Sequence, residues 1–391
     1  MLYLNHLGMI CPIGGTSGEI ALRLFAGDSG IAATEMYSPG RMLPLGSVNA
    51  ELPPADGLPM HQRSRNNQLA LAALAGIRSE ADAAIERFGS DRVGIVIGTS
   101  TSGIAESEAA VREQARTGKL PADFHYGRQE LGSPAAMLAA ELGVSGPAYV
   151  HSSACASSAK AMASAARLIR MGVCDAVITG GVDSLCAFTI AGFAALESVS
   201  ATRCNPLSGN RNGINIGEGA ALFLMSREPA LVALRGWGES SDAHHISAPD
   251  PSGTGARLAI QAALSRAGVS PRQVEYVNLH GTATIQNDAM ESRVIAELFG
   301  CDVPVSSTKP FTGHALGAAG AIEAGLCWIA MQDTNPDGKL PPHLWDGSCD
   351  PALPPLNAVA PGFGLGRPLR CALSNSFAFG GANAALLLGR E

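Results

Sequence analysis

An α/β sandwich of two related halves, with helices buried between two sheets, is the fold this sequence predicts. Three observations point to it: strand-like runs alternate with helical ones, the order of those elements repeats once, and two helical stretches are apolar on nearly every side. In chain order the strand-like runs of the first part are VGIVIG (93–98), PAYVHSS (147–153), AVITGG (176–181) and AALFLM (220–225). The second part has EYVNL (275–279), VPVSS (303–307), RCALSNS (370–376) and AALLLG (384–389). Helical segments between them imply largely parallel sheets covered on both faces. Residues 27–66 and 332–368 are rich in Pro, Gly and Ser, poorly periodic, and read as loops or insertions.

The repeat is weak but consistent. ALAALAGI…FGSDRVGIVIGTSTSG parallels AIQAALSRAGVSPRQVEYVNLHGTAT: a helix, a loop, a strand, then a Gly/Thr-rich turn. PAYVHSSACASSAKAMASAARLI parallels VPVSSTKPFTGHALGAAGAIEAGLCWIAM, and DAVITGGVDSLCAF parallels RCALSNSFAFGGAN. The halves are therefore 1–232 and 233–391. The helix after Cys155 is interrupted only by Lys160, Arg167 and Arg170, and the one over 315–331 carries a single charge, Glu323. Helices of this kind belong in a core.

Composition narrows the class. The 391 residues are 46% hydrophobic, 16% charged and 5% aromatic, enough for one large domain or two ordinary ones with an aliphatic interior. A net charge of -7 disfavours a general nucleic-acid or anionic-membrane binder, though not a local basic patch. The nine cysteines show no CxxC pair and no metal-ligand spacing, so reduced thiols and no metal are expected. MLYLNHLGMICPIGG lacks the charged start and long apolar stretch of a secretion signal, and no apolar run reaches the roughly 18 residues of a membrane span. A cytoplasmic protein is the expectation.

Chemistry concentrates in three segments of one grammar: a strand-like run, then a loop of small residues. They carry Cys155, His280 and His314, beyond strand ends, where open α/β sheets place their sites. Cys155 precedes a helix whose first N–H groups and dipole favour a thiolate. A small structural Cys is the alternative there. His280 and His314 are each flanked by Gly281 or Gly313, so a ligand can approach closely; satisfied or exposed imidazoles are the alternative, accepted for His6, His61, His125 and His343. Two neutral imidazoles facing one thiol can donate to a carbonyl oxygen that becomes an enolate. Glu323 is a lone acid in a buried helix and needs a partner, for which Lys309 is nearest in sequence; a structural ion pair and a catalytic one are equally open. SNSFAFGGAN (374–383) is a glycine turn with Phe377 and Phe379, whose backbone N–H groups could complete an oxyanion hole, or which is an ordinary strand–turn–strand.

These segments together (the Cys155 run, HGTAT, STKPFTGHALGAAGAIEA and NSFAFGG, with the weaker GWGESSDAHHISAP) resemble the elongating β-ketoacyl-acyl-carrier-protein synthases of the thiolase-fold superfamily. The resemblance runs from QLALAAL (68–74) and GTSTSG (98–103) to FAFGGAN. It implies a thiolase-like five-layer αβαβα fold, a dimer with itself or with a related synthase-like subunit, acyl carrier protein as partner, and no cofactor. It implies that Cys155 takes the acyl chain, with the Cys155 and Phe377 N–H groups as oxyanion hole and Phe377 as gate. His280 and His314 then assist malonyl decarboxylation, and Lys309 and Glu323 organise the site. Ser107, His151 and Phe379 are expected in the acyl pocket, and Arg63 and Arg65 in carrier docking.

Some positions depart from the family pattern. Ala378 stands where Gly is common, Ser208, Asn210 and Asn212 stand where acids are common, and His151 is an unusual polar neighbour of the nucleophile. They suggest a specialised pathway, for example one building polyenes. Ala105 and Ser107, small where bulk can shorten the pocket, suggest long chains. A thiolase should carry a second Cys in a C-terminal CxG loop, a chain-length-factor subunit should lack the nucleophile, and a cysteine hydrolase needs only one His. Cys155 with both histidines argues against all three.

Overall fold

The computed structural model describes residues 1–391. In the first half the elements are β1 (Tyr3–Ile10), α1 (Ser17–Ala26), β2 (Ile31–Thr34), β3 (Leu43–Gly46), α2 (Arg65–Ala75), α3 (Arg78–Phe88), β4 (Val93–Gly98), α4 (Ile104–Thr117), α5 (Ser133–Leu142), β5 (Ala148–His151), α6 (Ser157–Arg170), β6 (Ala176–Asp183), α7 (Ala187–Ala195) and β7 (Gly219–Ser226). The second half has β8 (Val232–Ser241), α8 (Thr254–Ala267), β9 (Tyr276–Asn278), α9 (Ile285–Phe299), β10 (Pro304–Ser306), α10 (Lys309–Thr312), α11 (Ala319–Ala330), β11 (Asn357–Ala358), β12 (Cys371–Phe377) and β13 (Ala382–Arg390).

The strand order is β11-β10-β9-β12-β13-β8-β1-β7-β6-β4-β5. Only Tyr3↔Ala233 joins β1 to β8, so this long array is two sheets meeting at one pair. Helices α6 and α11 pack between them and touch strands of both. Helices α2, α3 and α5 cover the first sheet outside, and α8 covers the second beside α9. The five layers expected from the resemblance are therefore present. Three apolar cores separate them, the largest lining α6 and α11 with Met162, Ile169, Ile322 and Leu326. No helix is long and apolar enough to cross a membrane.

The sheets are mixed, not largely parallel. β4, β5 and β6 run parallel, as do β9, β10 and β12, but β1 and β7 in one sheet and β8 and β13 in the other are antiparallel to their neighbours. Parallel pairing needs a crossover helix, whereas β12 and β13 are joined by the short turn 378–381 and β7 leads to β8 without a helix. Strands β1 and β8 were not anticipated, and the 27–66 segment holds the β2–β3 hairpin.

Close packing onto α6 explains one glycine. A Cβ on Gly98 would lie 2.2 Å from the Ser158 nitrogen, so only glycine lets β4 end against the start of this helix.

Candidate active site

Strand β5 delivers the chain into a tight bend before α6. Ser157 Oγ closes it, donating to the Ala154 carbonyl at 2.6 Å and accepting from the Ser153 N–H at 2.9 Å. Ala154, directly before the nucleophile, takes φ +49, a left-handed conformation costly for a residue with a side chain. Similar strain recurs at Ala283 (φ +64), after His280, and at Leu316 (φ +47), after His314.

The bends bring three donor atoms together. The Cys155 thiol and the two imidazoles offer atoms all within 4.8 Å of one another, and all three residues are buried. Cys155 Sγ lies 3.0 Å from His314 Nε2. The imidazoles are edge-on, with centroids 5.3 Å apart and planes at 81°. Lys309 Nζ lies 3.5 Å from His280 Nδ1 and is ion-paired to Glu323, both side chains being almost wholly buried. An ammonium has only protons to give, so His280 Nδ1 accepts and its own proton sits on Nε2.

Electrostatics follow from burial. It pushes the Cys155 thiol up to about 12, with Lys309 and the Phe379 N–H pulling the other way, so the resting group is a thiol. Desolvation thus opposes the thiolate that the helix start favours. Burial, then Lys309, holds both His280 and His314 well below the usual imidazole range. Burial raises Glu323 to about 7 against the pull of Lys309.

The site opens into a cavity lined by Cys155, His280, His314, Phe377, Phe379 and Phe193. Phe379 packs against Phe193 with centroids 5.4 Å apart. The backbone N–H that reaches the Cys155 sulfur belongs to Phe379. Phe377 instead ends β12, paired with Asn383, and sets its ring 6.0 Å from His280. This favours the Phe379 N–H over that of Phe377 for the oxyanion. Ala378 is extended (φ -115, ψ 156), so this position needs no glycine; the left-handed residues of the turn are Gly380 and Gly381.

Ser107 and His151, expected in the acyl pocket, do not line this cavity. Ser107 lies on α4 and faces a separate groove with Val111 and Phe188. His151 ends the edge strand β5, its ring against Tyr149 and its Nε2 buried without a partner. Arg65, a docking candidate, grips Glu218 through two donors, at 2.9 and 2.5 Å, and bonds the Val48 carbonyl. Arg63 donates to the Leu58 and Asp56 carbonyls, so its charge is tied down in part. Ser208 and Asn210, read as departures, both donate to Asp346 at 2.8 Å, where acids would repel it.

Two of the buried acids that escaped the sequence reading brace the site. Glu291 accepts from the His280 and Gly281 N–H groups, each at 2.8 Å, and from Asn375. Asp183 accepts from Thr99, Ser100, Thr101 and the Gly317 N–H, tying the GTSTSG loop to the loop after His314. The register of α9 offered a signal for Glu291, which falls on the face of Asn287, Val294 and Ile295.

Comparison with known proteins agrees with this geometry. Residues 52–230 match the β-ketoacyl synthase N-terminal domain and 231–344 the C-terminal domain. The 3-oxoacyl-[acyl-carrier-protein] synthase 2 of Staphylococcus aureus (strain COL) is 31% identical, covering 98% of this chain and 97% of its own. A chain of the Xenorhabdus doucetiae complex of a ketosynthase (ApeO) with its chain length factor (ApeC) superposes with a TM-score of 0.94 at 45% identity, over 100% of this chain and 98% of that one. A β-ketoacyl synthase from Burkholderia phymatum STM815 gives 0.86 at 27% identity, over 100% and 99%. The chain belongs to the β-ketoacyl synthase family and is an acyltransferase of that class, an elongating β-ketoacyl-carrier-protein synthase.

Proposed function

We propose that Cys155 carries the growing acyl chain and that His280 and His314 drive decarboxylation of the malonyl extender, with Lys309 and Glu323 as positioning residues. The observation that carries this reading is one thiol enclosed with two neutral imidazoles, the nearer at 3.0 Å. A thiol hydrolase needs one imidazole as base; the second, its N–H fixed on Nε2, suits a reaction that develops an enolate.

Cys155 sulfur attacks the acyl thioester carbonyl, the Phe379 N–H supports the oxyanion, and the carrier thiol leaves with the proton that Cys155 gives up. His314 Nε2 is the nearest base for that transfer. Malonyl thioester then loses carbon dioxide. The electron pair of the broken C–C bond becomes an enolate whose oxygen the His280 Nε2–H stabilises. His314 joins it in the tautomer that carries its proton on Nε2, since the acylated sulfur no longer has a proton to offer that atom. Its carbon attacks the acyl-enzyme, a new C–C bond forms, and the Cys155 sulfur is expelled as a thiolate that takes a proton from water to restore the thiol. The chain is longer by two carbons.

The names of the relatives support an acyl carrier protein as donor and a second synthase-like subunit as partner, identical or related. The free edge of β5 is a place for such a subunit to pair. Greater identity to a ketosynthase–chain length factor complex than to the carrier-protein synthases supports a specialised pathway, such as one building polyenes, in the cytoplasm. The halves 1–232 and 233–391 are the folding units of this reading, since nearly all strand pairing stays within them.

Separate measurement of the half-reactions tests the roles. His280→Ala and His314→Ala should each slow carbon dioxide release from malonyl-carrier protein by about 10²–10³ and slow acyl transfer far less. Equal, small losses in both half-reactions would remove the histidines from decarboxylation.

A further inference from the structure

Helix α6 starts at the active site and ends, by its 14 residues, about 20 Å away. At that far end four arginines (Arg170, Arg227, Arg235 and Arg266) line one hollow with Trp237 and Leu234. Arg170 and Arg266 stack on the Trp237 ring with Cζ 5.3 and 4.6 Å from its centroid, and Arg227 reaches the Arg170 carbonyl at 3.4 Å. Arg235 is paired with Glu391, but Arg170, Arg227 and Arg266 have no carboxylate partner. The neighbouring acids Glu239, Asp175 and Glu228 are already held by Arg167, Arg92 and Arg87.

A structural purpose covers only part of this. Arg170 and Arg266 sit in the last turns of α6 and α8, where cations offset the helix dipole. Two helix ends bring roughly half a negative charge each, so three unpaired guanidinium groups leave an excess of about two. Arg227 follows a strand, and its bond to the Arg170 carbonyl adds a third cation to the end of α6. Trp237, only 3% exposed, gives Arg170 and Arg266 a fixed ring to stack on. In a chain of net charge -7, such an uncompensated cluster calls for an anion.

We propose that this hollow binds a small-molecule diphosphate group. Guanidinium forks match phosphate oxygens two at a time, and an excess of about two charges favours a multiply charged ligand over a single carboxylate. The site lies away from Cys155 and takes no part in the condensation.

Calorimetric titration of the full chain with inorganic pyrophosphate, at constant ionic strength, tests this. One pyrophosphate should bind per chain and weaken as chloride rises. Arg227→Gln with Arg266→Gln should reduce affinity at least tenfold, leaving Cys155 acylation unchanged. Trp237→Leu, which removes the ring on which Arg170 and Arg266 stack, should weaken binding severalfold. No binding above the chloride control, or undiminished binding to the double variant, overturns the proposal. So does loss of carrier-dependent turnover in the double variant without pyrophosphate binding to the parent, since the arginines would then serve a protein partner.

Discussion

Single side chains here are governed by desolvation. Lys309 illustrates how one buried charge serves several neighbours: it pairs with Glu323, sets the proton of His280 on Nε2 and adds to burial in keeping both imidazoles neutral. Lys309→Met should leave Glu323 buried and unpaired, lowering stability by about 3–5 kcal/mol in urea unfolding. Adding Glu323→Leu should recover most of that stability without restoring carbon dioxide release. Recovery of both would deny Lys309 its positioning role. His343, buried between the Ser307 N–H and the Pro206 carbonyl, is pushed down to about 4 by burial. The unfolded chain takes up that proton near pH 6.5 and the folded one does not, so stability falls as pH drops from 6.5 towards 4. Between pH 7 and 5 this residue should cost about 2 kcal/mol, and His343→Gln should flatten the slope by that amount. The triad was legible because each member follows a strand within a small-residue loop. Glu291 was hidden because it acts through backbone N–H groups, which leave no mark on neighbouring residue types.

Elements hold those side chains through a few buried anchors. Asp183 ends β6 and gathers donors from residues 99–101 and from Gly317, joining the turn after β4 to the turn before α11. Asp183→Ala would orphan several buried donors at about 1–3 kcal/mol each. It should destabilise the fold by several kcal/mol, and thermal unfolding would show it; a change within 1 kcal/mol would remove Asp183 from this role. Gly281, at φ +39, has no room for a side chain, since a Cβ would lie 2.6 Å from that of Ser307. Arg65→Ala should likewise cost about 3 kcal/mol, by leaving Glu218 buried, and should not act through carrier affinity. The sequence could not disclose this, because a basic residue before a helix looks the same whether it faces solvent or a buried acid 153 positions away. Strands β1 and β8 also went unread. Their runs, YLNHLGMI and VALRGWGESS, are broken by polar residues and glycines, so no continuous apolar stretch marked them.

For the molecule as a whole, two mixed sheets enclosing α6 and α11 set a thiol from one half against two imidazoles from the other. Ala321 N–H donates to Ser158 Oγ at 2.9 Å, stitching the starts of the two buried helices together. The composite site was foreseen from the repeat. The open groove at Phe188, itself 67% exposed, was not, because a surface awaiting a partner has no period of its own. The account rests most heavily on Cys155 as the covalent acyl carrier. Intact-protein mass spectrometry after incubation with acyl-loaded carrier protein tests it directly. One acyl group should appear on the parent chain, mapped to Cys155, and none on a folded Cys155→Ala variant. Undiminished acylation of that variant at another of the nine cysteines would contradict it.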